Sequence, residues 1–166
     1  MSIGTIKISQ ISVCTWDLEQ AEKSYTTLLG IEPERIQLQP FEKVPAFTHG
    51  NPDHNMQYIE FLVYHLADDV KLEVYGPCPK GTPAQEFLEK HGQGVMNFAF
   101  IVDDREYAYD QIGKVCEVKG PYHEGFFPKA TYSFVDTFKE LGVELNIKQL
   151  RDNTELISKI VAQHNK

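Results

Sequence analysis

Four side chains in this chain of 166 residues combine one carboxylate with three amides at repeating spacings. Gln10 and Asn97 lie 87 residues apart, and their followers match in kind: Ile11 with Phe98, Val13 with Phe100, Asp17 with Asp104, Glu19 with Glu106. Glu73 and Asn146 lie 73 apart, inside the related runs VKLEV and VELNI. An amide offers both a donor and an acceptor, so Gln10, Asn97 and Asn146 can grip the oxygens of a carbonyl or carboxylate. Glu73 has two readings: it takes a proton from the carbon beside such a carbonyl, or it closes an internal hydrogen-bond network. A lone carboxylate in a hollow needs hydrogen bonds in either role.

Positioning those four groups requires strands, and the spacing supplies them as an internal duplication. Residues 7–14 alternate and are rich in β-branched types, which predicts a strand. Asp17 then reads as an N-cap, Leu18, Ala21, Tyr25 and Leu29 as one helical stripe, and Gly30 as the stop. Segments 56–66 and 70–75 read as strands joined by the short link 67–69. Residues 82–91 open on Thr82-Pro83 and read as a linker helix. The second half repeats the order: strand 95–102, helix 104–112, then strands near 115–118, 131–135 and 143–148. The expected class is α+β, with two tandem βαβββ modules forming one curved eight-stranded sheet around a central cavity. Module 1 covers about 6–77, module 2 about 94–150, and a C-terminal helix about 153–165, all in one domain, 1–166.

Strand parity turns the duplication into a site. Side chains alternate between the two faces of a strand. Gln10 shares a face with Ser12, Glu73 with Tyr75, and Asn146 with Glu144 and Lys148, while the apolar sets opposite them would take helices. Ile59, Phe61 and Val63 read as core, and Tyr58, Glu60, Leu62 and Tyr64 as lining either cavity or solvent. His49 and His54 flank a turn that could lid the hollow, or are ordinary surface histidines. His123, in the turn-rich run GPYHEG, is a candidate polar contact to a ligand, or an ordinary surface histidine.

Composition narrows the function classes. With 24 acidic against 16 basic side chains the formal charge is −8, which argues against a nucleic-acid partner, since phosphates call for a basic face. No apolar run approaches the roughly 20 residues of a membrane span, and the first residues lack a signal-peptide pattern. Cys14, Cys78 and Cys116 have no metal-type spacing and read as reduced thiols, so a soluble cytoplasmic protein is expected.

The runs QISVCTWDLEQAEKSYTTLLGI, LEVYGPCPKGTPAQEFLEKHGQGVMNFAFIVDD and SFVDTFKELGVELNI resemble the vicinal oxygen chelate superfamily, the glyoxalase and bleomycin-resistance fold, in its own order over about 6–150. Within it they are most similar to methylmalonyl-CoA epimerase and lactoylglutathione-lyase relatives. The resemblance implies a metal held by four side chains, which fall here on Gln10, Glu73, Asn97 and Asn146. Asn97 and Asn146 depart from the family's His and Glu, so no firm cofactor is expected beyond a weakly bound divalent cation. The resemblance also implies a homodimer with a small-molecule ligand. Its first functional expectation is an isomerase, epimerase or lyase acting on a carbonyl-bearing acid or thioester. Glu73 would be the proton acceptor, and Gln10, Ser12, Tyr75, Asn97, Asn146 and His123 the substrate contacts. The other is a metal-free protein that sequesters a small ligand.

Overall fold

A computed structural model of the chain describes residues 2–118 and 120–164. The alternating first segment forms β1 (Ile8–Cys14), and Asp17 caps α1 (Leu18–Leu29) by accepting the Gln20 backbone N–H at 2.9 Å. Such a cap contributes about 1 kcal/mol. Next come β2 (Glu34–Gln37), the hairpin of β3 (Ala46–Thr48) and β4 (Asn51–Pro52), then β5 (Glu60–His65) and β6 (Lys71–Tyr75). Helix α2 (Pro83–His91) leads to the second half: β7 (Gly94–Ile101), α3 (Arg105–Ile112), β8 (His123–Phe127) and β9 (Ala130–Val135). A single turn, α4 (Phe138–Leu141), precedes β10 (Glu144–Leu150), and α5 (Thr154–His164) follows. None of the described helices is long and apolar enough to cross a membrane.

One mixed sheet of ten strands runs β2-β5-β6-β1-β7-β10-β9-β8-β3-β4. Eight belong to the two modules. The other two, the β3–β4 hairpin, leave the first half and pair with β8 of the second, Ala46 opposite Gly125. The expected strand at 115–118 is absent: those residues form turns, Val115 is 71% exposed, and β8 takes the place of that strand. Residues 54–58 are likewise a short 3-10 turn, so β5 begins only at Glu60.

The duplication is legible in the hydrogen-bond register. β1 and β7 pair antiparallel at the centre of the sheet, Gln10 opposite Ala99 and Ser12 opposite Asn97. Each carries one extra residue, Ser9 and Met96, and these bulges stand 87 positions apart, as do the helix caps Asp17 and Asp104. A bulge leaves one residue unpaired and re-aims its neighbours. It therefore sets Gln10 and Asn97 in equivalent places.

One face of the sheet carries α1 over Ile11, Val13, Leu62, Tyr64, Leu72 and Val74, and α3 over Phe100, Val135, Leu145 and Ile147. Leu62 and Tyr64 thus lie under a helix, and Ile59 and Phe61 on the opposite, cavity side. Helix α2 does more than link the halves. Its Ala84, Phe87 and Leu88 pack on Cys14, Met96, Tyr132 and Phe134, on the concave face, and so fill the middle of the hollow. Burial of three such apolar side chains favours this seat by several kcal/mol, at about 25 cal/mol per Å² removed from water. At the end of the chain, His164 of α5 meets the Phe41 and Phe47 rings at 6.1 and 5.4 Å.

The concave wall includes one close approach. A Cβ on Gly125 would lie 2.1 Å from the Tyr132 ring, which a stiff aromatic in a packed wall cannot yield. Gly125→Ala is expected to cost about 3 kcal/mol, toward the upper end of overpacking penalties. Its urea midpoint should fall with the slope unchanged.

Candidate active site

The hollow on one side of α2 is a cavity of about 120 Å³. Its walls are mainly apolar, with Met56, Ile59, Phe61, Met96, Phe127 and Phe134, while Gln10, Glu73, Tyr75, Asn146 and Lys148 form a polar region. β6 and β10 each flank the central pair in parallel, and so bring Glu73 and Lys148 to the same hollow from the two modules. Gln10 ties them together. Its amide Nε2 donates to Glu73 Oε2 at 2.6 Å and to Ser12 Oγ at 2.9 Å, and its Oε1 accepts the Lys148 ammonium. The Tyr75 hydroxyl donates to the same Glu73 oxygen at 2.6 Å. Glu73 Oε1 has no hydrogen-bond partner among the described residues.

The charges in this arrangement are built for each other. Burial holds the Lys148 amine below its ordinary pKa, and the Glu73 carboxylate partly restores it. Desolvation, reinforced by Glu73, raises the Tyr75 hydroxyl well above the ordinary value, so it stays a donor. Glu73 therefore does close a network, and it keeps one oxygen outside it.

The expected site residues divide. Gln10, Glu73, Tyr75 and Asn146 line the cavity. Ser12 is 1% exposed and reaches it only through Gln10. Asn97 does not line it: α2 packs on the neighbouring Met96, and the Asn97 side chain is fully buried with neither amide atom hydrogen-bonded among the described residues. His49, in the β3–β4 turn, and His54, opening the 3-10 turn, are exposed; His49 bonds Glu86 at 2.9 Å and His54 rests on Phe41.

His123 lies one layer behind the wall, 1% exposed. The Thr48 hydroxyl donates to Asp53 at 2.6 Å, so it accepts the His123 Nδ1–H at 2.8 Å; the Tyr132 hydroxyl, 3.2 Å away, donates to Nε2. This assignment of the tautomer follows from the bonding pattern. Tyr132 itself lines the cavity. Burial pushes the His123 pKa down to about 3, against about 6.5 in an unfolded chain. Between those values the unfolded state binds the extra proton, so this residue's contribution to stability falls as pH drops through the window, by about 1.4 kcal/mol per pH unit. Glu144, raised by burial to about 7, acts with the opposite sign over part of the same range. The comparison of His123→Gln with the native chain isolates the histidine: the variant's unfolding free energy should decline less between about pH 6 and pH 4.

Lys148 is the residue that reading the sequence for a site passed over. The available signal was parity, since it stands two residues beyond Asn146 on the same strand face and at the repeat position of Tyr75.

The four positions that the resemblance implied as metal ligands do not fit a divalent cation here. Gln10 Oε1 already accepts an ammonium, and one Glu73 oxygen already accepts two donors. Asn97 is sealed off, and no group of three His, Cys, Asp or Glu side chains suited to a metal occurs among the described residues. A dication would have to displace a like charge from its first oxygen ligand.

No family model matches the sequence, and no curated protein matches it. Solved structures do. A hypothetical protein from Bacillus halodurans C-125 superposes with a TM-score of 0.57 at 16% identity, over 88% of this chain and 95% of that one. Methylmalonyl-CoA epimerase from Mycobacterium tuberculosis gives 0.55 at 16%, over 94% and 95%. A Streptomyces coelicolor methylmalonyl-CoA epimerase in complex with 2-nitronate-propionyl-CoA gives 0.54 at 17%, over 87% and 94%. At these identities the likeness is one of architecture: the chain has the α+β fold of these epimerases, consistent with the vicinal oxygen chelate fold, built on a single large mixed sheet.

Proposed function

We propose that the chain is a small-molecule enzyme of isomerase, epimerase or lyase type, acting on a carbonyl-bearing acid or thioester. The observation that carries the reading is the meeting of a carboxylate and an ammonium on Gln10, in a cavity otherwise apolar. Glu73, through its unpartnered Oε1, takes the proton from the carbon beside the carbonyl. The electron pair of that C–H bond becomes a carbon–carbon double bond as the carbonyl π pair moves onto oxygen, where the Lys148 ammonium and the Asn146 amide stabilise the charge. Return of the proton to carbon completes the shift. Gln10 and Tyr75 act by holding Glu73 in place.

Size supports a compact reacting group. A 150 Å³ apolar cavity accommodates a benzene ring. A cavity of about 120 Å³ therefore suits a short acid, or the acyl end of a longer thioester whose remainder stays outside. The cytosol is proposed as the location, on the three cysteines that stand as free thiols, and the homodimer expected from the resemblance is read by sedimentation.

The test is proton exchange in deuterated water, followed by mass spectrometry, across short 2-oxo acids, malonate half-esters and their thioesters. Native protein should label one carbon in at least one member, with a chelator present throughout. The dominance of apolar wall favours one competing reading, a protein that only sequesters its ligand. Tight binding of an aromatic acid with no exchange in any candidate would establish that reading and overturn the first.

A further inference from the structure

On the other side of α2 lies a second chamber of about 150 Å³, whose charged lining includes three carboxylates, Glu86, Asp136 and Glu144. Its innermost charged group is Glu144, on the same face of β10 as Asn146 and Lys148 and 5% exposed. The Tyr122 hydroxyl donates to one Glu144 oxygen at 2.7 Å. The other has no hydrogen-bond partner among the described residues. Glu144 also stands beside Asn97 in the parallel register of β10 and β7, the fully buried amide whose two polar atoms are unpartnered.

A buried carboxylate normally sits with a cation. Here the nearby basic side chains are committed elsewhere. Lys90 is held at the rim by Asp136 at 3.2 Å, and His49 by Glu86 at 2.9 Å. The Phe87 and Tyr122 rings line the same chamber, with the His49 ring stacked on Tyr122 at 5.5 Å. We propose that this chamber binds a small organic cation, a primary ammonium carried on an apolar or aromatic body, with Glu144 as its counter-ion and the rings as its walls. The first cavity differs in already holding an ammonium, that of Lys148, beside its carboxylate. This proposal stands independently of the exchange chemistry assigned to that cavity.

Burial raises Glu144 to about 7; Asp136 and Glu86 add to the rise, while Tyr122 and Lys90 oppose it. Burial and Lys90 hold His91 below its ordinary pKa, and Tyr122 stays a protonated donor. A cation that prefers the carboxylate form therefore binds more tightly as pH rises through about 7, with release of a proton.

The experiment is calorimetric titration with benzylamine, an ammonium at neutral pH, beside benzyl alcohol as a neutral probe of the same shape. The native chain should bind benzylamine more tightly at pH 8 than at pH 6, and benzyl alcohol at least about 10-fold more weakly, as expected for loss of a charge-assisted hydrogen bond. Glu144→Gln keeps the side-chain size and should lose about 10-fold or more in affinity for benzylamine. Tyr122→Phe leaves the carboxylate but removes the group that lowers its pKa, so binding should weaken at pH 7 and recover at higher pH. Absence of binding to the native chain, equal binding of the two probes, or full affinity in Glu144→Gln would overturn the proposal.

Discussion

Glu73→Gln is expected to leave a folded protein whose proton exchange is slower by about 10² to 10⁴-fold, the usual contribution of a positioned general base. Glutamine has the same shape, and its carbonyl oxygen can still accept from Tyr75 and Gln10, which donate to Glu73 at 2.6 Å each. What disappears is the unpartnered oxygen able to hold a proton. The Lys148 amine also loses the carboxylate that raises its pKa, so its own value should fall further. Urea unfolding run beside the exchange assay separates chemistry from folding. An unchanged unfolding midpoint with exchange lost is the expected pair. Exchange at the native rate in a well-folded Glu73→Gln protein would remove the assigned role.

Lys148→Met has the second largest expected effect, and it falls on binding as well as rate. Methionine fills a similar volume without charge, so the apolar wall survives while the ammonium that would meet the ligand oxygen is gone. Hydrogen bonds to charged groups contribute about 1.5–3 kcal/mol each, so affinity for a small carboxylate ligand should drop about 10- to 100-fold. Gln10 Oε1 would also lose its donor. The native protein provides an independent check through pH. Burial depresses the Lys148 pKa, so its charge is lost at a lower pH than that of an exposed lysine. Carboxylate affinity should therefore weaken as pH rises through that depressed value, and Lys148→Met should show none of this decline. A native chain whose carboxylate affinity declines no earlier in pH than an exposed lysine titrates, about 10.4, would separate Lys148 from the ligand.

Two features of the cavity follow from its shape rather than from any one residue. The polar groups arrive from two modules, so neither half alone assembles the site: Gln10 and Glu73 come from the first, Asn146 and Lys148 from the second. The same parallel placement of β6 and β10 beside the central pair gives the second chamber its acid, because Glu144 and Lys148 lie four residues apart on one strand face, about 13 Å at the usual rise. Helix α2 stands between them.

What the amino-acid order determined by itself is local and periodic. Alternation with β-branched residues makes β1, Asp17 and Asp104 start their helices, and the spacing of 87 recurs in both the caps and the bulges. A period of two also places Gln10, Glu73, Tyr75 and Asn146 on cavity-facing positions, since strand geometry leaves each side chain only two directions. The tertiary structure alone decided which of those faces remained open. α2 announces itself through Thr82-Pro83, but nothing in its residues says that its Ala84, Phe87 and Leu88 lie in the hollow, packed on Met96 beside Asn97. The crossing of β3 to β8 and the reach of Lys148 to Gln10, 138 residues away, depend in the same way on surfaces that exist only once both modules have paired. Contacts of such sequence separation are chosen by the total apolar area the assembled sheet can bury, a quantity no window of the sequence contains.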